Sequence, residues 1–250
     1  MARVVSARRS IAEQTRLRVN LERRFTTQMM NFYKNEFERA SRNLEPQPGT
    51  GQRLARVYDP HIRSTIEEFA NKFALVGKKQ EPDFNYLIQL FNRQFGSQRV
   101  TNITQSVENA VRRVVSLGLA EGLAEAELAK FIADQGKPKF QLYRAARIAR
   151  TETHMAANFA NHEMAKQIEL PMQKQWVAVN DARTRSWHST MNGTSVGIDE
   201  DFQVPTPSSG GGVSNVSMKY PGDPSGGASN VINCRCVVIY LEPEDVLNDS

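Results

Sequence analysis

From Ser10 to Asn43 the chain runs without a proline or glycine, and this stretch constrains the fold more than any other feature. Ile11, Leu17, Leu21, Phe25, Met29, Phe32, Tyr33 and Phe37 recur along it at mostly helical spacing, which predicts one long helix. The segment Glu45-Pro46-Gln47-Pro48-Gly49-Thr50-Gly51 then breaks the pattern with residues of fixed or permissive φ. A second helix is expected over His61–Val76, where Ile62, Ile66, Phe69, Phe73 and Ala74 form an apolar stripe. A charged connection, Lys78–Asp83, follows it. Further helices are expected over Tyr86–Phe95, ending at Gly96, then over Ile103–Leu119 and Ala124–Gln135. Gly136-Lys137-Pro138 marks the next boundary. An Ala-rich helix from Gln141 to Glu169 comes after it, ending before Pro171, with small residues on one face for close packing.

Beyond Pro171 the character changes. Gln175-Trp176-Val177-Ala178-Val179 is β-like, and Val231–Leu241 alternates into a terminal strand. Ser208–Gly212 and Pro221–Gly227 read as flexible loops, and Glu242-Pro243-Glu244-Asp245 forms an acidic tail. Helices first and short strands last predict an α+β fold. A mainly helical N-terminal half is followed by a C-terminal lobe with a long helix, a small mostly antiparallel sheet and long loops. Three segments are expected: a basic helical arm over 1–50, a helical region over 51–135 and a C-terminal α+β domain over 136–250.

With 40% hydrophobic and 24% charged residues, the chain has enough apolar material for a core and is not disordered as a whole. No apolar run approaches the roughly 20 residues that span a bilayer, and the N-terminus lacks the apolar middle of a secretory signal. Synthesis and residence in a cytoplasm, with no membrane partner, are therefore expected. The net charge of +5 is concentrated at the N-terminus, where nine basic residues face four acidic ones over residues 1–40. Arg3, Arg8, Arg9, Arg16, Arg18, Arg23 and Arg24 are the candidates for contact with DNA or an acidic protein face. A solvated helix face is the alternative reading of the same charges.

Two cysteines separated by one residue exclude a disulfide framework and fit reduced thiols. His154, His188, Cys234 and Cys236 together offer the four N/S donors of a zinc site, although a Cys pair in structural zinc usually spans about two to four intervening residues. Buried, metal-free thiols beside structural histidines are the alternative. In a strand, Cys234 and Cys236 would face one side and Arg235 the other, anchoring the last strand. On the Ala-rich helix Arg150 and His154 share a face while Glu152 points elsewhere. These residues are expected to tie down the loops of the C-terminal lobe through carbonyls or carboxylates such as Asp181 or Asp223. Arg185, His188, Asn233 and Arg235 complete this structural polar cluster. There is no G-x-S-x-G elbow, Walker loop or H-E-x-x-H, so an enzyme is not expected. The competing reading is nucleic-acid or nucleotide chemistry by Arg150, Glu152, His154, Asp181 and His188.

The succession Ala149-Arg150-Thr151-Glu152-Thr153-His154, Trp176, Asp181-Ala182-Arg183-Thr184-Arg185, His188, Gly193, Phe202, Tyr220-Pro221-Gly222-Asp223-Pro224 and Ile232-Asn233-Cys234-Arg235-Cys236 resembles the Mu F-like head-morphogenesis domain of tailed bacteriophages. The resemblance spans about residues 100–242 and rests on several short motifs in one order. It implies a low-copy minor capsid protein in the interior of the phage head, added during procapsid assembly in the host cytoplasm. The implied partners are the portal protein, the major capsid or scaffold protein, and packaged DNA. The implied roles are in assembly, DNA packaging and DNA ejection. The same domain occurs fused to toxin domains, which implies a delivery module more than an enzyme.

Overall fold

The computed structural model describes residues 2–76, 81–167 and 172–241, with side chains from residue 11 onward in the first helix and through residue 73 in the second. The fold is α+β. Helices α1 (Ala2–Asn43), α2 (Thr50–Val76), α3 (Phe84–Phe91), α4 (Ser97–Ala120), α5 (Glu125–Gln135) and α6 (Pro138–Lys166) precede a small β-rich lobe. In that lobe β1 (Gln173–Val177), the short α7 (Ser186–Ser189), β2 (Ser195–Gly197), β3 (Phe202–Pro207), β4 (Val213–Met218), α8 (Gly227–Val231) and β5 (Val237–Leu241) follow in order. The strands form an antiparallel sheet of order β2-β1-β5 and a separate β3–β4 hairpin. In the sheet Trp176 lies opposite Val238.

Several boundaries differ from expectation. The second helix starts at Thr50 and runs through Pro60. Proline removes one backbone donor, but Pro60 and Arg56 are on the exposed side, where water can satisfy the carbonyl left over. Gly96 does not end a helix either. A π-helical turn over Asn92–Gly96 carries α3 directly into α4. Segment 221–227, expected to be a flexible loop, is structured. Pro221, Gly222 and Asp223 are buried, and Asp223 accepts from the backbone N–H of Lys219 at 2.8 Å and of Ser225 at 3.0 Å. An aspartate that accepts from the backbone of its own turn fixes the path of such a segment. Val231, the expected strand start, closes α8, and β5 begins at Val237. The expected helix end at Glu169 and the acidic tail lie outside the described residues.

One continuous core takes in residues from all three expected segments, from Leu21 and Phe25 of α1 to Val238 of β5. At its centre lies α6, buried on every side from Thr151 to His162. A fully enclosed helix is usually apolar all round. This one instead carries Thr151, Glu152, Thr153, His154, Asn158, Asn161 and His162, and buried polar groups of this kind require partners. Glu152 receives the Tyr58 hydroxyl of α2 at 3.0 Å, and both Nε and Nη2 of Arg99 from α4. Thr153 meets His61 Nε2 at 2.9 Å, and the His61 ring stacks on Phe25 at 3.9 Å. Asn161 donates to Gln14 of α1 at 3.1 Å.

These contacts generate two expectations. Breaking a buried ion pair strands the remaining charge, so Glu152→Gln should lower stability by about 3 kcal/mol in urea unfolding. Replacing Glu152 and Arg99 together by leucine should cost less than that single change. The second concerns pH. Burial foremost, with Arg24 adding at His61 and lysines 174, 166 and 219 at His162, lowers both histidines to about 3. Below pH 6.5 the unfolded chain takes up protons that the folded chain refuses until about pH 3. Stability should therefore fall with pH through that window, by up to about 1.4 kcal/mol per pH unit for each histidine. Ring-proton NMR shifts of His61 and His162 that titrate between pH 6.5 and 4.5 would show that these rings are not held neutral.

Candidate functional site

The expected polar residues gather where α1 and α6 meet the β-rich lobe, in two adjoining groups. The first is a junction between helices. Arg18 of α1 donates from Nη1 to His154 Nδ1 at 3.2 Å and lies 3.7 Å from Glu22. Arg150 of α6 lies 3.5 Å from the same Glu22 and donates to Asn233 Oδ1 at 2.5 Å. Asn233 sits in the left-handed region at φ 62°, which asparagine tolerates, and its backbone N–H donates to Thr151 Oγ1 at 2.9 Å. Asn233 is thus fastened to α6 twice, through its side chain and through its backbone N–H. Four residues beyond His154, Asn158 donates to the Pro221 carbonyl at 2.7 Å and the Cys236 carbonyl at 3.3 Å. Gly222, at φ +85°, brings its loop so close that a Cβ would stand 3.0 Å from the His154 ring.

Electrostatics follow from enclosure. Burial lowers Arg18, with Glu22 and the two thiols acting in the opposite direction. Burial raises Glu22 against the pull of Arg18 and Arg150. For His154, burial, then Arg18 and His188, hold the ring well below the usual histidine range, against a hydrogen bond with the Cys236 carbonyl. A neutral His154 accepting from Arg18 is the consistent state.

The second group is a corner made of His188 from α7 with Cys234 and Cys236 from the segment between α8 and β5. Both sulfurs approach the same imidazole nitrogen, His188 Nδ1, at 3.6 and 3.7 Å. All three residues are buried, and their donor atoms lie within 4.8 Å of one another. Trp176 packs edge-on against the His188 ring, with centroids 5.4 Å apart. Asn230 sets the tautomer. Its amide nitrogen donates to Thr206 Oγ1 at 2.8 Å and to the Gly226 carbonyl at 2.9 Å, so its oxygen points the other way. That oxygen receives the Trp187 indole N–H at 2.8 Å and lies 3.1 Å from His188 Nε2. Nε2 therefore carries the hydrogen, and Nδ1 turns a bare lone pair toward the sulfurs. The thiols are unequal: a hydrogen bond from Cys234 lowers Cys236 against its burial, and the same contact together with burial raises Cys234.

Several expectations need correction. Arg18, expected on an exposed binding face, is only 6% exposed, because it is drawn inward as the partner of His154 and Glu22. Arg16, Arg23 and Arg24 remain exposed, with Arg24 paired to Glu68 at 3.0 Å, and the side chains of Arg3, Arg8 and Arg9 lie outside the described residues. His154 does not join the His188–Cys234–Cys236 group, since its ring nitrogens face Arg18, Asn158 and the Cys236 carbonyl. Asp181 and Asp223 are not the partners of Arg150 or His154. Asp181 takes a two-pronged bond from Arg235, both arms 2.5 Å, which holds its carboxyl well below the usual range. Arg185 donates to the Ile232 carbonyl at 2.6 Å. Glu152 does point away from the Arg150–His154 face. The thiols do share one side with Arg235 turned outward, although they precede β5.

Sequence reasoning missed Glu22, Asn158 and Asn230. The helical i+4 spacing from His154 could have found Asn158. Nothing local marks Asn230, which acts through four contacts distant in sequence or across a turn.

Among the described residues no helix is long and apolar enough to cross a membrane. No solved structure matches the chain. It is 28% identical over 165 residues to an NAD(+)–arginine ADP-ribosyltransferase, EFV, of Enterococcus faecalis, a match covering 63% of this chain and 31% of that one. It is 25% identical over 218 residues to the protein YqbB of Bacillus subtilis, covering 84% and 67% respectively. It is also 36% identical over 132 residues to the minor head protein GP7 of Bacillus phage SPP1, covering 51% of this chain and 40% of that protein. The chain thus spans about a third of the first relative and two fifths of the last. The family model described as Phage Mu protein F like protein matches residues 109–239, which hold α6, the Asn233 turn and the His188–Cys234–Cys236 corner, and the chain belongs to that family.

Proposed function

We propose that this chain is a minor head protein of a tailed bacteriophage, associated with the portal inside the head and acting in procapsid assembly, DNA packaging or DNA delivery. The observation that carries this reading is the family match over residues 109–239, alongside the likeness to a minor head protein. The geometry supports a structural rather than a catalytic role for the motif residues. Glu152, His154 and His188 are each 1% exposed, and they turn to different partners: Glu152 to Arg99 and Tyr58, His154 to Arg18, His188 to the thiols and Asn230. Groups consumed in separate buried contacts do not converge on a reacting atom. The ADP-ribosyltransferase relative is more than three times longer than its matched portion, and its activity is not carried over to this chain.

Affinity-tagged chain expressed in phage-infected cells should co-purify with the portal protein and be found in procapsids. Procapsids that contain portal and lack this chain would overturn the reading. The exposed Arg16 and Arg23 of α1 suit contact with DNA phosphates or an acidic partner face. If DNA is the partner, binding should weaken steeply with salt. Arg16→Gln with Arg23→Gln should then flatten the log–log salt slope by about 1 per arginine removed. Salt-independent binding would be incompatible with this contact.

A further inference from the structure

We propose that His188 Nδ1, Cys234 Sγ and Cys236 Sγ bind a thiophilic divalent cation, zinc, which clamps α7 to the segment leading into β5. Three independent features converge on it. The first is metric. Zinc–sulfur bonds of about 2.3 Å and zinc–nitrogen bonds of about 2.05 Å, at a tetrahedral angle, separate nitrogen from sulfur by about 3.6 Å. The two nitrogen–sulfur distances are 3.6 and 3.7 Å. The second is the lone pair. One imidazole nitrogen has a single in-plane lone pair and accepts well from only one thiol, yet both sulfurs are equally close to it. A cation on that lone pair engages both sulfurs at once.

The third is the preparation of the ring. The amide of Asn230, locked by Thr206 and the Gly226 carbonyl, takes the hydrogen of His188 Nε2 and leaves Nδ1 free to ligate. Metal-bound histidines commonly donate their other ring N–H to an oxygen in this way. The donor set is selective as well. Two thiolates and an imidazole suit zinc and disfavour magnesium and calcium, which prefer oxygen. Binding displaces whatever protons the thiols still carry to solvent, so both sulfurs ligate as thiolates. One corner of the tetrahedron is left for water or another small donor.

The spacing of one residue between the cysteines, short for a structural zinc pair, is accommodated because Arg235 is pulled outward by Asp181 while its neighbours turn in. His154 is not a ligand here, so the metal set is smaller than the four residues that the sequence offers.

The test uses the full chain purified without chelator or added metal. Elemental analysis should find about one zinc per chain. After stripping, cobalt titration should produce a thiolate-to-cobalt charge-transfer band. Cys234→Ser combined with Cys236→Ser should abolish both signals. Asn230→Ala, which keeps all three ligands, should weaken zinc affinity by roughly 10–100-fold in competition with a chromophoric chelator. Should the cysteine variants fail to fold, the wild-type cobalt spectrum and the Asn230→Ala affinity still decide the matter. Wild-type chain without stoichiometric zinc and without the cobalt band, its thiols free or joined to each other in a disulfide on intact-mass analysis, would overturn the proposal.

Discussion

The structure depends on satisfying the polar groups of one enclosed helix. Three turns of α6, from Thr151 to His162, are buried on all sides and carry a carboxylate, two imidazoles, two carboxamides and two hydroxyls. An unpaired group among these costs more than most single apolar contacts return, and His162 Nδ1 is the one such atom of this stretch buried without a hydrogen bond among the described residues. The surrounding elements are accordingly placed as partners as well as packing layers. Arg18 comes from α1, Tyr58 and His61 from α2, Arg99 from α4, and the Pro221 and Cys236 carbonyls from the β-rich lobe. Alanines 156, 157 and 160 let these neighbours approach closely. Contacts in such a network reinforce one another, so α6 couples every element that supplies it with a partner.

The helical half was largely legible because its signal is periodic. The apolar stripe of α1 and the ends of α5 follow from spacing and turn residues alone. The errors came where a local rule met a tertiary circumstance. Pro60 lies on a solvated face and Gly96 within a π-helical turn, so neither stops a helix. Tyr220-Pro221-Gly222-Asp223 has the composition of a mobile loop, and is buried because Gly222 fits against His154 and Asp223 binds its own backbone. Composition reports what a backbone is free to do, and burial decides whether it does so.

The candidate site was legible in membership and misread in pairing. Arg150, His154, His188, Asn233 and the two cysteines do gather in neighbouring groups, as the ordered motifs suggested. Which atoms meet was beyond the sequence. Arg18 looks like any other charge in a basic arm, and only the depth of His154 beneath α1 explains why it turns inward. Asn230 is silent for the same reason: its effect on His188 depends on Thr206 and Gly226 fixing which end of its amide faces the ring. Sequence spacing constrains neighbours on one element. It carries no information on hydrogen-bond direction between elements.

A consequence follows for the family-matched region. Residues 109–239 contain α6, the Asn233 turn and the Pro221 and Cys236 carbonyls that meet it, and the thiol–imidazole corner. Arg18, Glu22, Tyr58, His61 and Arg99, the partners on the other side, all precede residue 109. The matched region therefore does not satisfy its own central helix in this chain. Without α1, α2 and the start of α4, Glu152 would stand buried without a partner or force α6 open to water, and His154 would lose Arg18 while keeping Asn158. The corner built from His188, Cys234 and Cys236 is different in kind. Every group that orients it, Asn230, Thr206, Gly226, Trp176 and Trp187, lies within 109–239. The chain thus combines a self-contained corner in the β-rich lobe with a helical core whose charges are neutralised from outside the shared region. Variation in the N-terminal helices must preserve those few inward-facing partners, while the outward-facing residues of α1 are free to follow whatever surface the protein meets.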